Sequence, residues 1–172
     1  FEPVDLNNGW IIAEPEAEVS FEKGKINFES QGSFGTGLHE TTQDFLRYIL
    51  DEDFSGLKVL DLGTGSGILS IAAALKNAEH VTALDIRDVT EEVMYNAALN
   101  NITNIDIVIN DVTSQESNVK ENYDVVFINI GGDETLSCMD LINDVIKDDG
   151  KLFVSGLVEW SSDEIYKELN KM

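Results

Sequence analysis

The sequence predicts an α/β chain: a doubly wound, mostly parallel sheet with helices on both faces, preceded by a short N-terminal β segment. Three observations carry this expectation. From residue 56 onward, short apolar runs alternate with helical patterns, the order that builds parallel sheets through helical crossovers. The runs are rich in β-branched and aromatic residues and mostly do not alternate with polar ones, as strands covered on both faces require. The first of these runs ends in a glycine cluster that opens directly into an apolar helical stretch.

Taken in order, Trp10-Ile-Ile-Ala13 and Ile26-Asn-Phe28 are strand candidates, and Gly32, Gly35 and Gly37 then mark an irregular loop. Phe45, Leu46, Ile49 and Leu50 fall on one face of a helix. The strands of the main sheet read as Lys58–Leu62, His80–Asp85, Ile105–Ile109, Tyr123–Ile128 and Lys151–Ser155. Between and after them, three further stripes mark helices: Val93, Met94, Ala97 and Ala98; Leu136, Met139, Ile142, Val145 and Ile146; and Ile165, Tyr166 and Leu169. The whole is expected to form one domain, 1–172, with strands and a loop in residues 1–40 and the α/β core in 41–172. Ligands of such sheets bind beyond the carboxyl ends of the strands, near the switch in strand order.

Composition narrows the function. The 33 Asp and Glu against 11 Lys and Arg give a net charge of −22, with 42% hydrophobic residues. A disordered acidic tail lacks that much apolar content. Nucleic-acid binding needs clustered cations to displace counterions, and an anionic membrane surface repels such a chain. A basic partner suits it, as does simple solubility. The single Cys138 rules out an intramolecular disulfide and a Cys-built zinc site, and no metal site is expected. No run approaches the ~20 apolar residues of a membrane-spanning helix. No secretory signal is visible, and a cytoplasmic protein is expected.

The strongest motif is Val59-Leu-Asp61-Leu-Gly63-Thr-Gly65-Ser-Gly67-Ile-Leu. Glycines permit the tight turn and close approach of a ligand to the backbone, and the helix behind them starts with unpaired N–H groups. Dinucleotide folds place their third glycine three residues after the second, where this chain has Ile68. Asp61, two residues before the first glycine, would repel a pyrophosphate and attract a cationic amino-acid portion. Neither ligand class is excluded by this alone, but it favours S-adenosylmethionine, whose sulfonium and ammonium are both positive. Asp85 ends the second strand of the main sheet, where a carboxylate can accept both ribose hydroxyls; a helix N-cap is the other reading. Asn110-Asp111 ends the third, and the Asp111 side chain could accept from an adenine amino group or simply cap the loop.

Ser33-Phe-Gly-Thr-Gly-Leu-His-Glu-Thr-Thr42, the Asp61 glycine motif, Asn129 after Val-Val-Phe-Ile and the late Ser155-Gly-Leu together resemble the ribosomal protein L11 methyltransferase (PrmA) family. The resemblance covers roughly residues 20–160. It implies the class I methyltransferase fold, S-adenosylmethionine as methyl donor and S-adenosylhomocysteine as product. It also implies cofactor contacts at Thr42, Gly63, Asp85 and Asn129, beside Asp61 and Gly65 from the glycine motif and Asp111 from the end of the third strand. Ile130-Gly-Gly132 after Asn129 differs from the Asn-Pro-Pro-Tyr that grips planar acceptor nitrogens in other methyltransferases, which argues against base and glutamine-amide acceptors.

His39 belongs to the loop over the cofactor in the family, and a structural role is expected for it. Trp10 and Trp160 are expected to pack rather than stack on bases. Two features depart from the pattern: Ile86-Arg-Asp88 replaces Ile-Asp-Pro, and the expected Asn-Ala pair reads out of register, as Asn96, Asn100 and Asn101. Full members carry an N-terminal recognition domain and a final pair of strands, so the chain is expected to be cut at both ends. The implied activity is methyl transfer to amines of a basic protein, a ribosomal protein above all, with Asn129 orienting the nucleophile. The alternatives are a non-catalytic cofactor-binding paralogue and a methyltransferase acting on a small molecule.

Overall fold

The computed structural model describes residues 2–29, 40–109, 122–129, 139–154 and 158–161, with Met139, Asp140 and the last four as backbone only. β1 (Val4–Asp5), β2 (Trp10–Ala13) and β3 (Gly24–Asn27) form a three-stranded sheet in that order, β1–β2 antiparallel and β2–β3 parallel. Helix α1 (Glu40–Leu50) leads into the main sheet, built from β4 (Lys58–Leu62), β5 (His80–Asp85), β6 (Ile105–Ile109), β7 (Tyr123–Ile128), β8 (Ile146–Val154) and β9 (Val158–Ser161). Its order is β6-β5-β4-β7-β8-β9. The first five strands run parallel, and β9 is antiparallel to β8. Helices α2 (Ile68–Leu75), α3 (Thr90–Leu99) and α4 (Met139–Val145) complete the described fold. The expected doubly wound α/β class is the observed one.

Pleating sends alternate residues of each strand to opposite faces, and both faces are covered. On one, Val59, Phe127 and Phe153 meet Phe45 and Ile49 of α1, Ile71 of α2, and Leu6, Ile12 and Ile26 of the small sheet. Phe127 stands edge-on to Phe45 and Phe54, at centroid distances of 5.3 and 5.9 Å. On the other face, Leu60, Leu62, Leu84, Val126 and Ile128 pack against Ile142 and Val145 of α4. The inner strands β4, β5 and β7 thus bury mostly apolar side chains on both faces, which is why their runs read as continuous.

Several expectations are corrected. α4 stops at Val145, and β8 begins at Ile146, five residues before the expected Lys151, running through Asp148-Asp149-Gly150. These residues lie in the register shift of β8 against β7, where Ile146 pairs with Tyr123 and the next pair is Lys151 with Val125. The antiparallel β9 adds a strand after the fifth, where the sequence pointed to a helix alone. The α3 stripe is turned: Val93 and Ala97 are buried, Met94 is 53% exposed, and the inward position goes to Asn96.

Candidate active site

The carboxyl ends of β4, β5 and β7 meet where the strand order reverses. Leu62 is in register with Leu84 and with Ile128, so the next residues, Gly63, Asp85 and Asn129, form a row across the sheet edge. Of the expected site residues, Thr42, Asp61, Gly63, Gly65, Asp85 and Asn129 are described, and the structure gathers them around this edge. Asp111, His39 and the Phe34-Gly-Thr-Gly37 loop lie outside the described residues.

The glycine turn is left-handed three times, with φ of 72°, 55° and 84° at Gly63, Gly65 and Gly67. A Cβ on Gly67 would also lie 2.8 Å from Val93 Cγ1, whereas one on Gly65 would project into open space. The N–H groups of Gly63 and Thr64 donate to the Leu84 carbonyl, at 2.8 and 3.0 Å, and that of Gly67 donates to the Thr64 carbonyl. The Gly65 N–H donates to Asp85 Oδ2 at 2.9 Å. A turn whose donors are engaged in this way does not cradle a phosphate, which needs several of them aimed outward.

Asp61 lies on the α1–α2 face of β4 and is fully buried. Its Oδ2 accepts hydrogen bonds from Thr64 Oγ1 at 2.8 Å and Ser70 Oγ at 2.7 Å. Among the described residues its Oδ1 is buried with no hydrogen-bond partner. Burial pushes its pKa up to about 6, against the Ser70 and Thr64 hydrogen bonds, and the neighbouring Asp85 charge adds to the rise. An ionisable oxygen left bare in the interior is costly, and a cation placed beside it would relieve that cost. The orphaned oxygen thus fits the cationic amino-acid end of S-adenosylmethionine.

Asp85, 7% exposed, has its Oδ1 beside Arg87, which donates its N–H at 3.0 Å and places Nε at 3.7 Å. Each oxygen accepts one backbone N–H, and a carboxylate oxygen can accept two hydrogen bonds. That leaves capacity for a pair of hydroxyls. Across the row, Asn129 Nδ2 donates to Thr42 Oγ1 at 3.4 Å, which ties the end of β7 to the first turn of α1. This contact, spanning 87 residues, joins two positions that the resemblance had picked separately.

Asn96 and Asn100 stand out in the sequence only as out of register with the family pattern, and their role escaped the sequence reading. Asn96 Oδ1 accepts the Glu29 N–H at 2.8 Å while its Nδ2 donates to the Glu29 carbonyl. One turn later, Asn100 does the same to Asn27, at 2.8 and 2.7 Å. The four-residue spacing of two asparagines on an inward face was the available signal. They act as side-chain rungs that hold the end of β3 and the residues after it along α3.

The ribosomal protein L11 methyltransferase (PrmA) family model matches residues 1–172. A ribosomal protein L11 methyltransferase from Caldicellulosiruptor saccharolyticus is 35% identical over 99% of this chain and 56% of its own length. One from Porphyromonas gingivalis is 34% identical over 91% of this chain and 54% of its own. The chain therefore spans about half the length of these curated relatives. The crystal structure of a ribosomal protein L11 methylase from Lactobacillus delbrueckii subsp. bulgaricus matches with a TM-score of 0.78 and 27% identity, over 99% of this chain and 84% of that one. Fold, family model and relatives agree: the chain belongs to the ribosomal protein L11 methyltransferase (PrmA) family.

Proposed function

We propose that this chain binds S-adenosylmethionine and transfers its methyl group to amines of a basic protein, a ribosomal protein in the cytoplasm. The observation that carries this reading is the bare, fully buried Oδ1 of Asp61 at the carboxyl end of the sheet. Asp61 is assigned the cofactor's ammonium, Asp85 its ribose hydroxyls, and Gly63 and Gly65 the close passage of its chain along the turn. Thr42 and Asn129 form the wall between cofactor and acceptor. Asp111, outside the described residues, is assigned the adenine amino group.

When bound, the cofactor supplies a methyl carbon already activated by a good leaving group, the sulfonium. The protein's task is then chiefly in-line positioning. Asn129, anchored to Thr42, is placed to orient the acceptor nitrogen. A free lysine, of pKa ~10.4, lies about 3 units from neutrality at pH 7.4, a deprotonation cost of about 4 kcal/mol. Desolvation at the site lowers that pKa, and water takes the proton.

The test is incubation with tritium-labelled cofactor and a ribosomal extract, followed by mass spectrometry. The expected product is a ribosomal protein carrying label on lysine or the α-amino group. Cofactor binding without any labelled protein would replace this reading with that of a non-catalytic binding module.

A further inference from the structure

The small N-terminal sheet carries a cleft that the cofactor site does not use. It encloses about 280 Å³ between the β1–β2 turn and the segment entering β3, with Asp5, Trp10, Phe21 and Glu22 in its walls. Phe21 is 52% exposed. Trp10 is held in place by β3: a Cβ on Gly24 would lie 2.4 Å from its ring. The turn beneath is fixed by left-handed Asn7 (φ 60°) and Gly9 (φ 94°), by the Asn7 N–H donating to Asp5 Oδ1, and by the Trp10 N–H donating to Asn8 Oδ1. Two aromatic rings and two exposed carboxylates around one hollow suit a cation, which gains from the ring faces and from the acids. Lys23, whose stem crosses Gly9, offsets only one of the two charges.

The cleft also has a defined place relative to the active site. Asn8 Nδ2 donates to Asp51 Oδ1 at 3.4 Å, and Arg47 Nε donates to the Leu6 carbonyl at 2.7 Å. The turn is thus docked at the C-terminal end of α1, whose first turn holds Thr42. Nine residues at ~1.5 Å each put it about 14 Å from the site, a span of roughly four extended residues.

We propose that this cleft docks a lysine or arginine side chain of the protein acceptor, at least about four residues from the methylated amine. The proposal rests on the reading above that the acceptor is a basic protein; the net charge of −22 would draw such a partner in, and the aromatic walls would select where it lands. The experiment uses the Trp160→Phe chain, in which Trp10 is the sole indole, titrated without cofactor with an N-acetylated lysine-rich peptide. A saturable change in Trp10 emission is expected. Phe21→Ala and Glu22→Gln should each raise Kd at least fivefold, while the double change Glu91→Gln/Glu92→Gln on α3 should alter it less than twofold. Equal weakening by the α3 control would show diffuse attraction to an acidic surface and overturn the proposal. So would a silent Trp10, or an emission change that follows protein concentration without peptide, which would seat a second copy of the chain there. Calorimetric titration of the same variants with S-adenosylmethionine should give unchanged affinity, so a failed cleft and a failed cofactor site give different results.

Discussion

Asp61, assigned above to the cofactor's ammonium, costs stability while it has no cation beside it. Its pKa stands at about 6 in the folded chain against an ordinary 3.8, so the native state holds the proton more tightly than the unfolded one. Its own contribution to stability without ligand is therefore fullest below about pH 4 and is lost as pH rises through 6, a change on the order of 3 kcal/mol. Asp61→Asn keeps an acceptor for Thr64 and Ser70 and removes the charge. It should raise Tm at pH 7.5 by about 6–12 °C, an effect that vanishes at pH 4. The same change should weaken S-adenosylmethionine binding about 10- to 100-fold, since a charge-assisted contact is lost. Thermal melts at the two pH values check the first half; an equal shift at both would remove the buried charge from the explanation. Thr42→Val breaks the Asn129 anchor, and the rate of methyl transfer should fall more than cofactor affinity does.

At the scale of elements, the inner parallel strands β4, β5 and β7 were legible because both of their faces are buried, so each run is mostly apolar along its length. Legibility failed where that condition failed. The start of β8 carries Asp148 and Asp149, both exposed, and its acids outweighed its place in the sheet. In α3, hydrophobicity pointed to Met94, but a fully buried asparagine holds the inward position. Its amide pairs with the Glu29 backbone, so burial leaves few of its groups unbonded. No apolar periodicity reveals such a residue. Asn96→Ala should cost about 2–4 kcal/mol, because the Glu29 N–H and carbonyl both lose their partner. Asn96→Leu should do no better despite its hydrophobicity, and chemical denaturation of both variants checks this. Gly67→Ala meets both a left-handed backbone and Val93, and should lose at least about 1–2 kcal/mol. Of the site, the glycine turn and the two acids were visible from strand ends and spacing. The Thr42–Asn129 contact was not, because it depends on how α1 crosses the sheet.

For the whole molecule, the charge of −22 acts in two opposed ways. Self-repulsion of the folded chain weakens with screening, so Tm should rise as sodium chloride goes from about 50 to 300 mM. Binding of a basic acceptor loses the same attraction and should weaken over that range; parallel trends would contradict the link between charge and partner. The central claim remains the cofactor site at the carboxyl ends of β4 and β5. It is tested most directly by calorimetric titration of the chain with S-adenosylmethionine, beside Asp85→Ala and a control, Asp106→Asn. The control removes a carboxylate that pairs with His80 near the opposite ends of β5 and β6. The expected result is one saturable site in the parent and the control, and no measurable binding in Asp85→Ala. Unchanged affinity in Asp85→Ala would contradict the ribose assignment and, with it, the placement of the site.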